Sequence, residues 1–192
     1  MSEHASFLRA FFKDFTHVGA IAPSSKQLAG LMLDWMDWSQ INHIVEFGPG
    51  TGVFTQAIHQ RINEDTHFFA VERDPDLAKH TRQRCPEVEV VESCVSRLPE
   101  LCLERSLERI DAIVCGLPWA AFTTEMQNQC LSAVLDALPE GGYFATFAYW
   151  QGLALPAGIR FKRTLHESFS SVENSGTAWR NLPPAFVYQC RK

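Results

Sequence analysis

Residues 43–62 read HIVEFGPGTGVFTQAIHQRI, and this stretch limits the fold more than any other. HIVEF (43–47) has the character of a short buried strand. Three glycines spaced two apart follow, at Gly48, Gly50 and Gly52. TGVFTQAIHQRI (51–62) then shows helical spacing. The unit is a strand that turns on glycine into a helix.

The same alternation runs down the chain. HFFAVE (67–72) reads as a second strand and PDLAKHTRQR (75–84) as a helix opened by Pro75. VEVVE (88–92) is a third strand, followed by a helix within 96–106. IDAIVCG (110–116) is a fourth strand. TEMQNQCLSAVLDAL (124–138) is a helix that stops at Pro139, before the Gly141-Gly142 turn. GYFATFAYW (142–150) is a fifth strand, and SFSSVENSG (168–176) and AFVYQCR (185–191) are two further candidates. Strands alternating with helices imply an α/β protein with a parallel sheet wrapped on both faces. In such sheets ligands bind beyond the C-terminal ends of the strands, where the strand order reverses. The glycine turn ends the first strand and is expected there. A length of 192 residues suits one domain with a full core.

The turn is not built for a dinucleotide. That pattern needs G-x-G-x-x-G/A, and its third place falls here on Val53. Glu46 also stands where a pyrophosphate would approach. A cationic ligand reverses the second objection. S-adenosylmethionine carries a sulfonium and an ammonium, and a carboxylate at the turn attracts that ammonium directly or through water. Glycines let the backbone come close, and free N–H groups at the helix start suit the ligand carboxylate. Glu72 ends the second strand, where a carboxylate can accept hydrogen bonds from both ribose hydroxyls of an adenosine.

At this point the chain resembles a class I S-adenosylmethionine-dependent methyltransferase. Three further segments sharpen the resemblance. FLRAFFKDFTHVGAIAPSS (7–25), CGLPWAAF (115–122) and NLPPAFVYQCR (181–191) resemble segments of the bacterial phospholipid N-methyltransferases that act on phosphatidylethanolamine. The resemblance implies a Rossmann-like, seven-stranded, mostly parallel sheet with helices on both faces, an antiparallel last strand and N-terminal helices. It implies one domain, with residues 1–38 as a helical cap or lid and 39–192 as the core. It places the cofactor on Glu46, Gly48, Gly50, Thr51 and Gly52, with Glu72 and Arg73 at the second strand, Ser93 and Cys94 at the third, and Gly116 at the fourth. The family usually has G-D-A after the third strand, its aspartate meeting the adenine amine. Here Ser93, Cys94 and Val95 stand there, so adenine selection falls to backbone groups, a neighbour such as Glu92, or stacking.

The acceptor is expected at GLPW (116–119), beyond the fourth strand. Amino methyltransferases of nucleic acid carry N-P-P-Y or N-L-P-Y in that place, and Gly116 replaces their polar residue. Leu117 and Pro118 would present backbone carbonyls to an acceptor nitrogen. Trp119 would either face a cationic amine through its ring or simply plug the loop. Tyr149, at the end of the fifth strand, is the candidate catalytic or substrate-binding polar group. Near the N-terminus Phe7, Leu8, Phe11, Phe12 and Phe15 make one apolar helical face. That face fits an interfacial helix in residues 5–16 touching a membrane, or a lid over the cofactor. Ser24 with Gln27 fits a capping box for the next helix.

Composition narrows the function. The formal net charge is −5, which disfavours nucleic acid as the main partner. The six cysteines form no C-x-x-C pair and the seven histidines no H-x-x-x-H, so no metal site is expected. No secretory signal and no apolar run of about 18 residues is present, so the chain is expected in the cytoplasm, and the apolar face in residues 5–16 adds the expectation of a peripheral position on the inner face of the membrane. The leading expectation is methyl transfer from S-adenosylmethionine to the amine of a lipid head group, phosphatidylethanolamine or a related acceptor. The alternatives are an RNA adenine-N6 methyltransferase and a non-catalytic S-adenosylmethionine-binding protein.

Overall fold

The computed structural model describes residues 23–181 and 183–192. Residues 5–16, expected as an interfacial or lid helix, lie outside them. Among the described residues seven strands form one sheet: β1 (His43–Phe47), β2 (His67–Glu72), β3 (Glu89–Glu92), β4 (Ala112–Cys115), β5 (Tyr143–Tyr149), β6 (Ser171–Asn174) and β7 (Ala185–Arg191). Their order is β3-β2-β1-β4-β5-β7-β6. The first five run parallel, and β7 is antiparallel to both β5 and β6. This is the Rossmann-like sheet expected, with the last strand reversed. The order turns back between β1 and β4, which opens a crevice at their C-terminal ends.

Six α-helices connect the described strands: α1 (Pro23–Leu33), α2 (Val53–His59), α3 (Pro75–Arg84), α4 (Leu98–Glu104), α5 (Thr124–Ala137) and α6 (Pro156–Ser168). Local chemistry sets several of their ends. Asp74 caps α3 by accepting from the N–H groups of Asp76 and Leu77, and Pro75 enters the first turn. Thr123 caps α5 by accepting from the N–H of Met126. Strand side chains alternate between two layers. Val45, Phe47 and Ile113 pack against Leu98, Leu131, Phe161 and Leu165 of α4, α5 and α6. Ile44 and Val114 pack on the opposite face against Leu28, Met32 and Ile58 of α1 and α2. The α3 residue Ala78 joins Ala70 and Val90 in a smaller cluster.

Three differences from the sequence reading have local causes. The helix expected over 51–62 is confined to Val53–His59, because Gly52 takes a left-handed φ of 77° at its N-cap. The first helix begins at Pro23, which puts Ser24 inside the first turn instead of at the cap its box requires. This helix covers the sheet, and the Gln189 side chain donates to the Leu31 carbonyl at 2.9 Å. Finally, α6 has no counterpart in the sequence reading. Its opening Pro-Ala-Gly has the composition of a loop, and its buried positions, Gly158, Phe161 and Leu165, are separated by polar residues.

Candidate cofactor and acceptor site

Because β1 to β5 are parallel, their C-terminal ends share one rim. Every residue expected to bind cofactor or acceptor falls on that rim or directly after it. After β1 the chain turns through Gly48, Gly50 and Gly52 at φ 66°, 57° and 77°, values that an L side chain rarely adopts. Neighbouring elements hold the turn. The N–H of Gly48 donates to the Val71 carbonyl at 2.9 Å. From α3, Thr81 Oγ1 donates to the Gly50 carbonyl at 2.9 Å. Arg84 donates to the Thr51 carbonyl at 3.3 Å. The sequence reading passed over Thr81 and Arg84, because their partners lie 31 and 33 residues away and no local pattern links them.

Glu46 lies beneath the turn and is wholly buried. Thr55 of α2 donates its hydroxyl to Glu46 Oε2 at 2.6 Å. The other oxygen, Oε1, is buried with no hydrogen-bond partner among the described residues. Burial dominates, and with the Glu72 carboxyl nearby it pushes the Glu46 carboxyl up to about 8. The sequence reading treated this group as a charged carboxylate at the turn. In the ligand-free protein it favours its neutral form near pH 7, and a cation close by would restore the charge.

Glu72 joins two loops. Its Oε2 accepts from the Gly50 N–H at 3.2 Å and its Oε1 from the Asp74 N–H at 3.0 Å. Each oxygen keeps a lone pair for a further donor. Burial pushes this carboxyl upward, opposed by hydrogen bonds from the Asp74, Gly50 and Arg73 backbone. Arg73 follows at the exposed end of β2. The Ser93 N–H donates to the Glu72 carbonyl at 3.0 Å, which draws the end of β3 into the same rim. Cys94 is half-buried, and its sulfur accepts from Ser96 Oγ at 3.1 Å.

Gly116 ends β4 against the turn. Its N–H donates to the Phe47 carbonyl at 2.7 Å. A β-carbon on Gly116 would stand 2.6 Å from the Gly48 carbonyl oxygen, so no side chain fits there without backbone movement. The Leu117 side chain lies over Gly48. The Leu117 carbonyl accepts from the Trp119 N–H at 3.1 Å and the Pro118 carbonyl from the Ala121 N–H at 2.9 Å. One lone pair of each carbonyl therefore remains for an acceptor. Gln127, which the sequence reading did not single out, fixes this segment. Its side-chain amide donates to the Trp119 carbonyl at 2.7 Å and to the Ala157 carbonyl at 3.0 Å.

Trp119 turns away from the rim. Its ring is 3 % exposed and stacks on Phe161 at 4.3 Å, and its indole N–H donates to Thr146 Oγ1 at 2.9 Å. Of the two readings of this residue, the geometry fits the packed plug, and the expectation that its ring faces an amine is corrected accordingly. Tyr149 is half-buried at the end of β5, edge-on to Phe147 at 5.5 Å. Burial drives its phenol well above the ordinary range, against a hydrogen bond with Asn181 that pulls the other way. The hydroxyl stays protonated at neutral pH, so it can orient an amine but is a poor proton acceptor.

A strand–glycine turn–helix with acidic residues near two adjacent strand ends suits a nucleoside ligand, and comparison with known proteins shows the family. Residues 44–142 match the family described as "Methyltransferase domain", and the chain belongs to that family. It is an S-adenosylmethionine-dependent methyltransferase. It is 32 % identical to the ornithine lipid N-methyltransferase of Singulisphaera acidiphila over 194 aligned residues, covering 100 % of this chain and 97 % of that one. A shorter match, 36 % identical over 58 residues, covers 30 % of this chain and 20 % of the ribosomal RNA small subunit methyltransferase A of Chlorobaculum tepidum. Among solved structures, the N-methyltransferase NodS of Bradyrhizobium japonicum WM9 in complex with S-adenosyl-L-homocysteine is similar, with a TM-score of 0.64. It is 14 % identical, with 90 % of this chain and 89 % of that one covered, and the likeness is one of fold.

The residues present fit the cofactor. The glycine turn adds no side chain of its own at Gly48, Gly50 and Gly52, Glu72 offers two acceptors for ribose hydroxyls, and Glu46 Oε1, without a partner among the described residues, suits an ammonium or a water bridging to one.

Proposed function

We propose that this enzyme methylates the primary amine of a lipid head group, phosphatidylethanolamine or a related amine lipid. The observation that carries the proposal is the full-length relation to a lipid N-methyltransferase, spanning both the rim and the surrounding helices. When bound, S-adenosylmethionine supplies a methyl group on a sulfonium, a leaving group that needs no acid. The protein's task is then alignment and exclusion of water. The glycine turn and Glu72 hold the nucleoside end. The free lone pairs on the Leu117 and Pro118 carbonyls receive the amine hydrogens and point the nitrogen at the methyl. Tyr149 contributes its hydroxyl as a further orienting group. The amine enters in its neutral form, having lost its proton to solvent.

A lipid acceptor requires contact with a bilayer. Among the described residues no helix is long and apolar enough to cross a membrane. The apolar spacing of Phe7, Leu8, Phe11, Phe12 and Phe15 supports peripheral contact through residues 5–16 at the cytoplasmic face.

Adenine methylation of RNA is the second reading, favoured by the short match to a ribosomal RNA enzyme. Against it stand the net charge of −5 and the lack of room at Gly116 for the polar side chain those enzymes carry. Radiolabelled methyl transfer from S-adenosylmethionine to total lipid and to total RNA separates the two. Label in an amine lipid supports the proposal, with purified phosphatidylethanolamine and an ornithine lipid then telling the head groups apart. Label confined to RNA overturns it.

A further inference from the structure

Five large apolar side chains are strongly exposed among the described residues, and four of them, Trp150, Leu155, Ile159 and Trp179, fall in two adjoining segments. Trp150 opens the short 3-10 turn Trp150–Ala154 that carries β5 into α6. Leu155 caps α6 and Ile159 lies one helical turn further on, away from the buried Gly158, Phe161 and Leu165. Lys162 and His166 continue the same exposed stripe, with Arg163 beside them. Ile159, Lys162, Arg163 and His166 line an open groove of about 490 Å³ with Leu153 of the turn. The loop bearing Trp179 is tied to this surface, since the Trp150 indole N–H donates to Thr177 Oγ1 at 3.3 Å. One side of Trp150 rests on Phe186, with ring centroids 4.9 Å apart, and the rest of the ring is open.

Charge says what covers this surface. The chain carries a net −5, yet Lys162 and Arg163 are exposed on α6 and Arg180 is exposed beside Trp179, with Glu167 pairing with Arg163 at 3.6 Å and Glu125 near Arg160. Tryptophans flanked by lysine and arginine suit the boundary between lipid head groups and acyl chains, where the ring is half-wet and the cations meet lipid phosphate. The surface also adjoins the acceptor segment. A β-carbon on Gly152 would lie 3.5 Å from the Ala120 side chain.

We propose that Trp150, Leu155, Ile159 and Trp179, with Lys162, Arg163 and Arg180, form a docking face for an anionic phospholipid bilayer, distinct from residues 5–16. Docked this way, the turn beside Ala120 of the proposed acceptor segment lies next to the bilayer. The purpose of the docking rests on the lipid-acceptor proposal; the binding does not.

The full chain is sedimented with vesicles of phosphatidylcholine, with and without phosphatidylglycerol. Two double variants are compared with it, Ile159→Ser with Trp179→Ser, and Lys162→Glu with Arg163→Glu, all at exposed positions outside the catalytic site. The unaltered protein is expected to bind the anionic vesicles preferentially. Each double variant should lose at least about tenfold in partitioning, the first through lost apolar insertion and the second through lost attraction to lipid phosphate. Methyl transfer to detergent-dispersed lipid should be unchanged while transfer to lipid in vesicles falls. Variants that bind vesicles like the unaltered protein overturn the inference, as does equal binding to neutral and anionic vesicles. A dimer that the variants dissociate, with no vesicle binding, assigns the face to a second copy and also overturns it. Loss of vesicle binding in the variants from an enzyme that labels no lipid leaves the docking face standing and removes the acceptor proposal.

Discussion

The backbone of Gly116 passes so close to Gly48 that a β-carbon on the first would stand 2.6 Å from the carbonyl oxygen of the second. Two loops that follow neighbouring parallel strands thus touch backbone to backbone, the proposed cofactor turn on one side and the proposed acceptor segment on the other. In the proposed reaction this contact would set the distance between donor and acceptor of the methyl group without any side chain.

Gly116→Ala tests that contact. The carbonyl it meets belongs to backbone, so it cannot swing aside, and overpacking of this kind costs about 1–3 kcal/mol. Thermal denaturation should show that loss. Methyl transfer should fall further than the melting shift explains, because the acceptor segment moves off line. Full activity with unchanged stability would show that the loops tolerate separation.

Glu72→Ala removes both the proposed ribose acceptor and the bond to the Gly50 N–H. Titration calorimetry should report S-adenosylmethionine affinity at least about tenfold weaker, or ~1.4 kcal/mol. An unchanged affinity contradicts the assignment of the ribose to this carboxylate.

The buried Glu46 carboxyl makes both stability and cofactor binding depend on pH. Between its ordinary value of 4.5 and about 8, the folded ligand-free protein holds a proton that the unfolded chain has released. Stability from this group is therefore full below pH 4.5 and declines as pH rises towards 8. A cationic cofactor favours the carboxylate, so its affinity should rise over the same window, with uptake of the ligand releasing a proton. Calorimetry in buffers of different ionisation heat reads that release. Glu46→Gln should flatten the pH dependence and weaken binding, and a slope that survives the substitution assigns the proton to another group.

Trp119→Phe separates packing from recognition. Loss of the hydrogen bond to Thr146 should lower stability by about 1 kcal/mol. The acceptor KM should stay as it is, because the ring is packed against Phe161 and Phe122 instead of lining the rim. A raised KM at unchanged stability would return Trp119 to the acceptor site.

Tyr149→Phe asks whether the phenol moves a proton. Loss of a general base costs about 10²–10⁴-fold in rate, so an orienting hydroxyl should cost less than about 10²-fold. The pH–rate profile of the variant should keep its shape. Disappearance of an ionisation from that profile would make Tyr149 the base.

Much of the rim was legible in the chain. The short apolar strands, the three glycines and the carboxylates near the ends of β1 and β2 are local features, and a parallel sheet necessarily gathers them along one edge. Other parts were hidden for equally physical reasons. Thr81 and Arg84 reach the turn from α3, and Gln127 reaches Ala157 across 30 residues. Such bonds are set by how helices lie on the sheet, which no spacing along one element encodes. Within α6 the short apolar stripe of Phe161 and Leu165 sits among polar residues after a loop-like start, and it became helical because the sheet face needed cover.

The sequence by itself determined where the strands and helices alternate, that the chain must bend on glycine after β1, and that acidic side chains close two strands. These follow from the preferences of neighbouring residues. Only the tertiary structure decided that Glu46 lies wholly out of water, that Trp119 plugs the core, and that Trp150, Leu155, Ile159 and Trp179 remain outside. Desolvation and contact depend on which distant elements close over a side chain, and the crossovers of the sheet settle that.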